Sequence, residues 1–531
     1  MGLKSDRAIT LTVVDGLLVL LSMALIYSQN PFAVPLEPFL MAYWMLRVMF
    51  MLSRKWTTDI MLFLIAAFCV YELFMGYAQL FGGLGVAKGQ DNIVGTFSCS
   101  GPLGCFLSVC TSLSIAVYAR STAPFIRISS AVLAISSFVL MACTLSRASM
   151  LSLGVSMLFL AMKSEKMSSF ILKNIISISV VVILLGAGAY LIKKSSADGR
   201  IMMVRIGLRI MKENGLCGVG LGNFAGAYGK AQAKFFEEYT SNGTDDMDAG
   251  NIPENLRMTA GCPAYCFNEY LRIGIESGPV SMLLLICLVT AGVISAYKAG
   301  NIWCYPLISI SVFACLSYPF EVGALTFLMI VCLASNGRDT GLKSTCLIFF
   351  SLMFVFLGTT YYCHKTMVKR TFSSTGLSCV ERFCSSRCKT LWVHDTSVLP
   401  DGLYDEKTLF VIGQTMNRDG EYAKSDSILR LGAGISSDPM FWNLMGNNSL
   451  AQGYFREAEH RYKHAFMMVP NRIYPLCLLA KLYYMEGDTI LFHEMAERVE
   501  TFRPKVESAT TERLRTEIRE LKSNIAGRQK R

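Results

Sequence analysis

The sequence predicts an all-α protein in two parts: a polytopic membrane helical bundle of about 11 transmembrane helices, followed by a soluble α-solenoid. Three observations carry this reading. Of 531 residues, 53% are hydrophobic and only 17% charged, against a charged share of about 25% in an ordinary soluble domain. Apolar runs of membrane-crossing length recur up to residue 363 and then stop. Beyond residue 400 the texture changes to polar helix pairs that repeat.

The net charge of +11 fits basic cytosolic loops better than nucleic-acid binding. The 18 cysteines are not a disulfide scaffold. Cys69, Cys143, Cys287, Cys315 and Cys332 fall inside apolar runs, where a thiol acts as a small buried hydrophobe.

A membrane helix needs about 20 mostly apolar residues. Segments near 8 to 27, 36 to 52, 58 to 80, 103 to 119, 128 to 145, 149 to 163, 174 to 192, 280 to 297, 303 to 319, 322 to 334 and 344 to 362 qualify. The two flanking Pro319 are short, and one broken helix is the other reading of that pair. No small-residue cleavage site follows the first run, which therefore reads as a retained anchor. Alternate loops carry Arg54 and Lys55, Arg120 and Arg127, Lys163 and Lys166, Lys298, then Arg338 and Lys343. Basic residues in short loops stay on the cytosolic side. The N-terminus is then inside, and the long loop 193 to 279 lies outside with the C-terminal domain, although Lys365, Lys369 and Arg370 pull mildly the other way. The expected domains are a membrane domain 1–363 containing that loop, a linker 364–400, and a repeat domain 401–531.

In the repeat domain, Trp442, Gly446, Gly453, Phe455, Ala458, Tyr462, Ala465 and Pro470 fall at the spacings of the tetratricopeptide unit. Gly420, Gly453 and Gly487 recur at 33 and 34 residues, which gives about three copies, the minimum for a stable stack. Such a stack offers a surface for a peptide or protein partner, or packs on the chain's own membrane domain. On the first reading it is separable from any chemistry. Residues 507 to 531 are charged and helix-prone and read as a cap.

Four stretches are richer than loops need to be. Gly95-Thr96-Phe97 through Gly101-Pro102 leads straight into an apolar run, as segments that line cavities do. Thr144 to Ser149 holds Arg147 in a tight turn, where a snorkelling surface arginine is the plainer reading. Gly199-Arg200 runs through Arg205 and Arg209 to Gly218-Val219-Gly220-Leu221-Gly222. With Asp198 as N-cap, Arg205 and Arg209 share a helix face, and Arg209 can also simply pair with Glu213 at i+4. The glycines follow no βαβ unit, which excludes a nucleotide loop. In Asn268-Glu269-Tyr270-Leu271-Arg272 and the residues after it, Glu269, Arg272 and Glu276 fall at i, i+3 and i+7 on one helical stripe, for which ordinary ion pairing is the alternative.

In this order and spacing, over residues 60 to 335, the four stretches resemble the O-antigen ligase family of membrane glycosyltransferases, which includes polysaccharide polymerases and protein O-oligosaccharyltransferases. The resemblance implies a metal-independent, cofactor-free inner-membrane enzyme. It would move a glycan from undecaprenyl pyrophosphate to an acceptor hydroxyl of a lipid core, a polysaccharide or a protein at the periplasmic face. It implies Arg147, Arg200, Arg205, Arg209 and Arg272 as candidates to grip the pyrophosphate, since bidentate guanidiniums stabilise a departing phosphate without metal. Asn268 is a further substrate-binding candidate. The chain departs from lipopolysaccharide ligases at one point: Phe267 stands where they carry His, and all five histidines follow residue 363. Either a carboxylate such as Glu269 takes that role, or no strong base is needed, or the chain belongs to a subgroup with another acceptor; Arg200 is the other catalytic candidate. Cys262 and Cys266, or Cys379, Cys384 and Cys388, lack a fourth ligand for zinc. A transporter or a non-catalytic assembly scaffold is the rival class, but a transporter carries its broken helices and charges at the bilayer midplane.

Overall fold

The computed structural model describes residues 12–28, 36–82, 93–174, 194–241, 252–336 and 406–529. All regular structure among them is helical, and the chain divides into two compact units.

The first unit holds α1 (Val13–Tyr27), α2 (Glu37–Leu52), α3 (Arg54–Leu80), α4 (Ser100–Arg120), α5 (Pro124–Cys143), α6 (Arg147–Ala161), α7 (Glu165–Lys173), α11 (Glu269–Lys298), α12 (Cys304–Ala314) and α13 (Gly323–Ala334). Four of these, α3, α4, α5 and α11, are long and apolar enough to cross a membrane, and α1, α2, α6, α12 and α13 are shorter apolar helices. Helix α4 is the centre, with Leu103, Cys105, Leu107 and Val109 fully buried against α5, α6 and α12. Ser108 of α4 hydrogen-bonds Ser309 of α12 at 2.8 Å and lies 3.3 Å from Ser152 of α6. Small hydroxyls of this kind let membrane helices approach closely. The outward faces of α3 and α5 expose Phe63, Val70, Phe74, Ile128, Val132 and Ile135, an apolar surface that suits lipid.

Several expectations are corrected here. The eighth apolar run does begin at a break, the non-helical Gly278 followed by Pro279, but the residues before that break are helical as well, so that α11 is two helices joined across a kink and its first part reaches back to Glu269. The glycine adopts φ 87°, and the proline lacks the N–H that the ladder would use there. The fourth stretch is therefore the first turns of a membrane-length helix, and the loop ends by 265. The run 303 to 319 is helical only to Ala314, because Pro319 starts a 3-10 turn, Pro319–Glu321. The expected runs at 174 to 192 and 344 to 362, the linker, and Cys379, Cys384 and Cys388 lie outside the described residues.

The second unit combines α8 (Lys194–Asn214), α9 (Phe224–Ser241) and α10 (Glu254–Thr259) with α14 (Glu406–Arg418), α15 (Tyr422–Ile435), α16 (Met440–Ala451), α17 (Phe455–Met468), α18 (Tyr474–Glu486), α19 (Thr489–Thr501) and α20 (Ala509–Gln529). Asp198 is not an N-cap, since α8 begins before it at Lys194. Helices α14 to α19 pack as successive pairs, each on the next, and α20 closes the stack against α18 and α19. Gly420, Gly453 and Gly487 turn each pair with φ of 79°, 79° and 84°.

Candidate functional site

The first unit concentrates its buried charge at two ends. Helices α12 and α13 form a hairpin, closed at one end where the Asn301 amide donates to Ser335 Oγ at 2.9 Å. At that end Arg47 holds Asp15 bidentately, Nε and Nη2 each at 2.9 Å, while the Tyr43 hydroxyl donates to the same carboxylate at 2.7 Å. The pair is shut off from solvent, with side-chain exposures of 1% and 0%.

The hairpin's other end is the 3-10 turn, which meets the start of α11. Arg272 Nε donates to Glu269 Oε2 at 2.6 Å, and its Nη1 lies 3.5 Å from Glu276 Oε2 and 2.5 Å from Glu321 Oε1. The Phe320 N–H donates to the other Glu269 oxygen at 2.9 Å. One guanidinium thus serves three carboxylates. Glu269 and Glu276 are buried, whereas the Glu321 side chain is 24% exposed.

The first stretch joins this end. Tyr318 stacks edge-on against Phe267, with ring centres 5.5 Å apart, and its hydroxyl lies 3.1 Å from Cys99 Sγ. Buried Glu72 of α3 accepts both the N–H and the hydroxyl of Thr96, and the side chain of Gln79, two turns further along α3, accepts the N–H of Val94 and of Gly95. A side chain at Gly95, which has φ 60°, would collide with the Glu72 carboxylate, so this approach requires glycine. Gly104 of α4 packs against Ser146 and Ser149. That brings Arg147, exposed at the first position of α6, onto the same helix pair as the first stretch.

Asn268 is the N-cap of α11, its Oδ1 accepting from the Leu271 N–H at 3.0 Å. The structure therefore gives it a helix-capping role. Arg200, Arg205 and Arg209 belong to the other unit, on α8. Arg209 is held by Glu213 at 3.2 Å and bidentately by Glu238 of α9. Arg205 lies 4.9 Å above the Phe235 ring, and the two arginines line a cleft of about 390 Å³. Hydrogen bonds from Arg209 pull the Glu238 carboxyl below its usual range, and those from Lys234 and then Arg209 do the same for Glu213.

Sequence reading missed Glu72, Gln79, Tyr318 and Glu321. An acidic residue two positions after Pro319, in the break between two short apolar runs, was the available signal for Glu321. Glu72 was a lone charge inside an apolar run. No protein-family model matches this chain, and comparison with curated proteins gives no match.

Proposed function

We propose that this chain is a membrane glycosyltransferase of the O-antigen ligase and polymerase type, moving a glycan from undecaprenyl pyrophosphate to an acceptor hydroxyl. One observation carries the reading: the stretches at 95 to 104, 144 to 149 and 267 to 276, far apart in sequence, gather in one membrane unit, two of them at a buried cluster with more acid than base.

In this reading the acceptor oxygen attacks the anomeric carbon, the sugar–phosphate bond breaks, and the lipid pyrophosphate leaves with the bonding electrons. The hydroxyl proton passes to a carboxylate. Glu269 is poorly placed to take it, because it is fully buried and both its oxygens already accept hydrogen bonds. Glu321, on the same arginine and partly exposed, is the better group, with Arg272 and Glu269 holding it in place. Arg147 supports the phosphate side: it opens α6, whose N-terminal dipole also favours an anion. Arg200, on α8 of the second unit, is the arginine that the family resemblance adds as a candidate. Among the described residues, buried Asp15 and Arg47 lie at one end of the α12–α13 hairpin and buried Glu269 and Glu276 at the other, which favours this reading over a transporter.

We read the helix pairs of the second unit as three tetratricopeptide repeats with α20 as cap. Residues 194 to 265 and these repeats form one compact unit, which supports their lying on one side of the membrane. An even number of crossings must then separate them, as α11, α12, α13 and the apolar run near 344 to 362 supply. With the basic loops inside, that side is the periplasm of a bacterial inner membrane.

The test is to compare surface glycans and glycoproteins of a deletion strain with the same strain carrying wild type, Arg147→Lys or Arg200→Lys at normal level. Wild type should restore a missing glycan conjugate, and both variants should restore less, because lysine is only a point charge. Full restoration by both variants would refute the bidentate grip, and an unchanged deletion strain would refute the transferase reading.

A further inference from the structure

Helix α9 is mostly buried, with Phe224, Tyr228, Ala233 and Phe236 among the covered residues. Much of its cover comes from the second helices of two repeat pairs, α15 and α17. The fit is close. A methyl group built on Gly226 would overlap the Gly434 carbonyl, and one built on Gly229 would sit 2.7 Å from Met468 Cε and 3.1 Å from Ser437 Cα.

The strand of chain after α9 is tied down as well. Asn471, in the turn between α17 and α18, donates through Nδ2 to the carbonyls of Arg257 and Ala260 at 3.1 and 2.9 Å. Buried Gln232 of α9 donates to the Gly261 carbonyl at 2.9 Å and also to that of Met468. Ser437 Oγ donates to the Pro263 carbonyl at 3.0 Å. Arg257 donates to the Arg503 carbonyl at 3.1 Å and lies 4.5 Å above the Phe502 ring. These buried amides would be left unsatisfied in a dry gap if the surfaces merely slid apart. Helix α9 in turn carries the partners of the arginine helix: Glu238 for Arg209, Lys234 for Glu213, and Phe235 for Arg205.

We infer that the repeat stack works in cis, as a clamp whose face on α15 and α17 takes a glycine-bearing helix of its own chain and thereby holds the arginine-bearing loop together. It differs from the expectation that the repeats are separable from the chemistry. The docking stands on the contacts alone, while its bearing on transfer rests on the function proposed above, where α8 supplies Arg200.

Full-length protein carrying Gly229→Cys and Ser437→Cys tests it. The Cβ positions lie 3.4 Å apart, close to the spacing a disulfide needs. A protease site inserted near residue 380 makes the bond visible. After mild oxidation and cleavage, the two fragments should run together without reductant and apart with it, and neither single-cysteine variant should cross-link. Failure of the pair to cross-link overturns the docking. In a second arm, the cleaved wild-type protein should keep its C-terminal fragment through gel filtration, whereas Gly226→Val, whose side chain would overlap the Gly434 backbone, should lose most of it. Release from wild type overturns the clamp, as does equal retention by both. Transfer by the cross-linked protein should stay within twofold of the uncross-linked form. A tenfold loss restored by reductant would show that the helix must undock, which contradicts a permanent clamp, and neither result depends on whether Glu321 is the base.

Discussion

The two charged ends of the α12–α13 hairpin solve the same problem in opposite ways. At one end a single acid, Asp15, meets a single base, Arg47, and the Tyr43 hydroxyl completes a neutral, sealed set. At the other, Arg272 is shared by Glu269, Glu276 and Glu321, and the last of these reaches solvent. A balanced, closed pair has no charge left to offer a substrate and serves the fold. An unbalanced, half-open cluster is costly to maintain in a membrane protein, and such sites mark function.

The balanced end should break hardest when only one partner is removed. Arg47→Ala leaves Asp15 buried and uncompensated, and should cost about 3–5 kcal/mol, read as loss of thermal stability of the purified protein in detergent. The double change Asp15→Leu with Arg47→Met should recover most of that loss, because apolar replacement of a whole buried pair is often neutral. Recovery no better than that of the single variant would make the pair more than structural.

At the unbalanced end, Asn268→Ala removes only a helix cap and should cost about 1 kcal/mol with the transfer rate per folded molecule nearly intact. A rate loss larger than the stability loss explains would return Asn268 to the substrate.

The smallest effect sharpens the contrast with a surface network. Glu213 and Glu238 are held below their usual range by Arg209 and Lys234. Groups with depressed values stabilise above their unfolded value, near 4.3, and lose that contribution as pH falls through the lower folded value. Stability of the second unit should therefore be flat between pH 7 and about 5 and fall below, with a shallower acid slope in Arg209→Ala. Identical slopes would show that the pairs are screened.

How much of this was legible in the sequence follows from the range of each signal. Apolar runs and the 33- and 34-residue glycine spacing are local, so the all-helical class, and the turns at Gly420, Gly453 and Gly487 between successive helices, could be read directly. The reach of α11 back to Glu269 could not, because its first turns are polar on one face and look like a loop. Asp15, Arg47 and Glu72 each sit among uncharged neighbours in an apolar run, and nothing local says which partner neutralises them. Glu321 was hidden by the same proline that made the α12–α13 pair ambiguous. The docking of α9 on the repeats joins residues more than 200 apart, as Gln232 and Met468 are, through glycines and amides that leave no periodic trace.

The most direct test of the account compares transfer of glycan from the undecaprenyl-pyrophosphate carrier by two purified proteins, Glu321→Gln and the double variant Asp15→Leu with Arg47→Met. Glu321→Gln keeps the shape of the side chain and should lose about 100-fold or more in rate, as expected for a group that takes a proton in the transition state, with carrier binding and thermal stability unchanged. The double variant should turn over within a few-fold of wild type. Full activity in Glu321→Gln together with a collapse in the double variant would place the chemistry at the wrong end of the bundle and contradict the account.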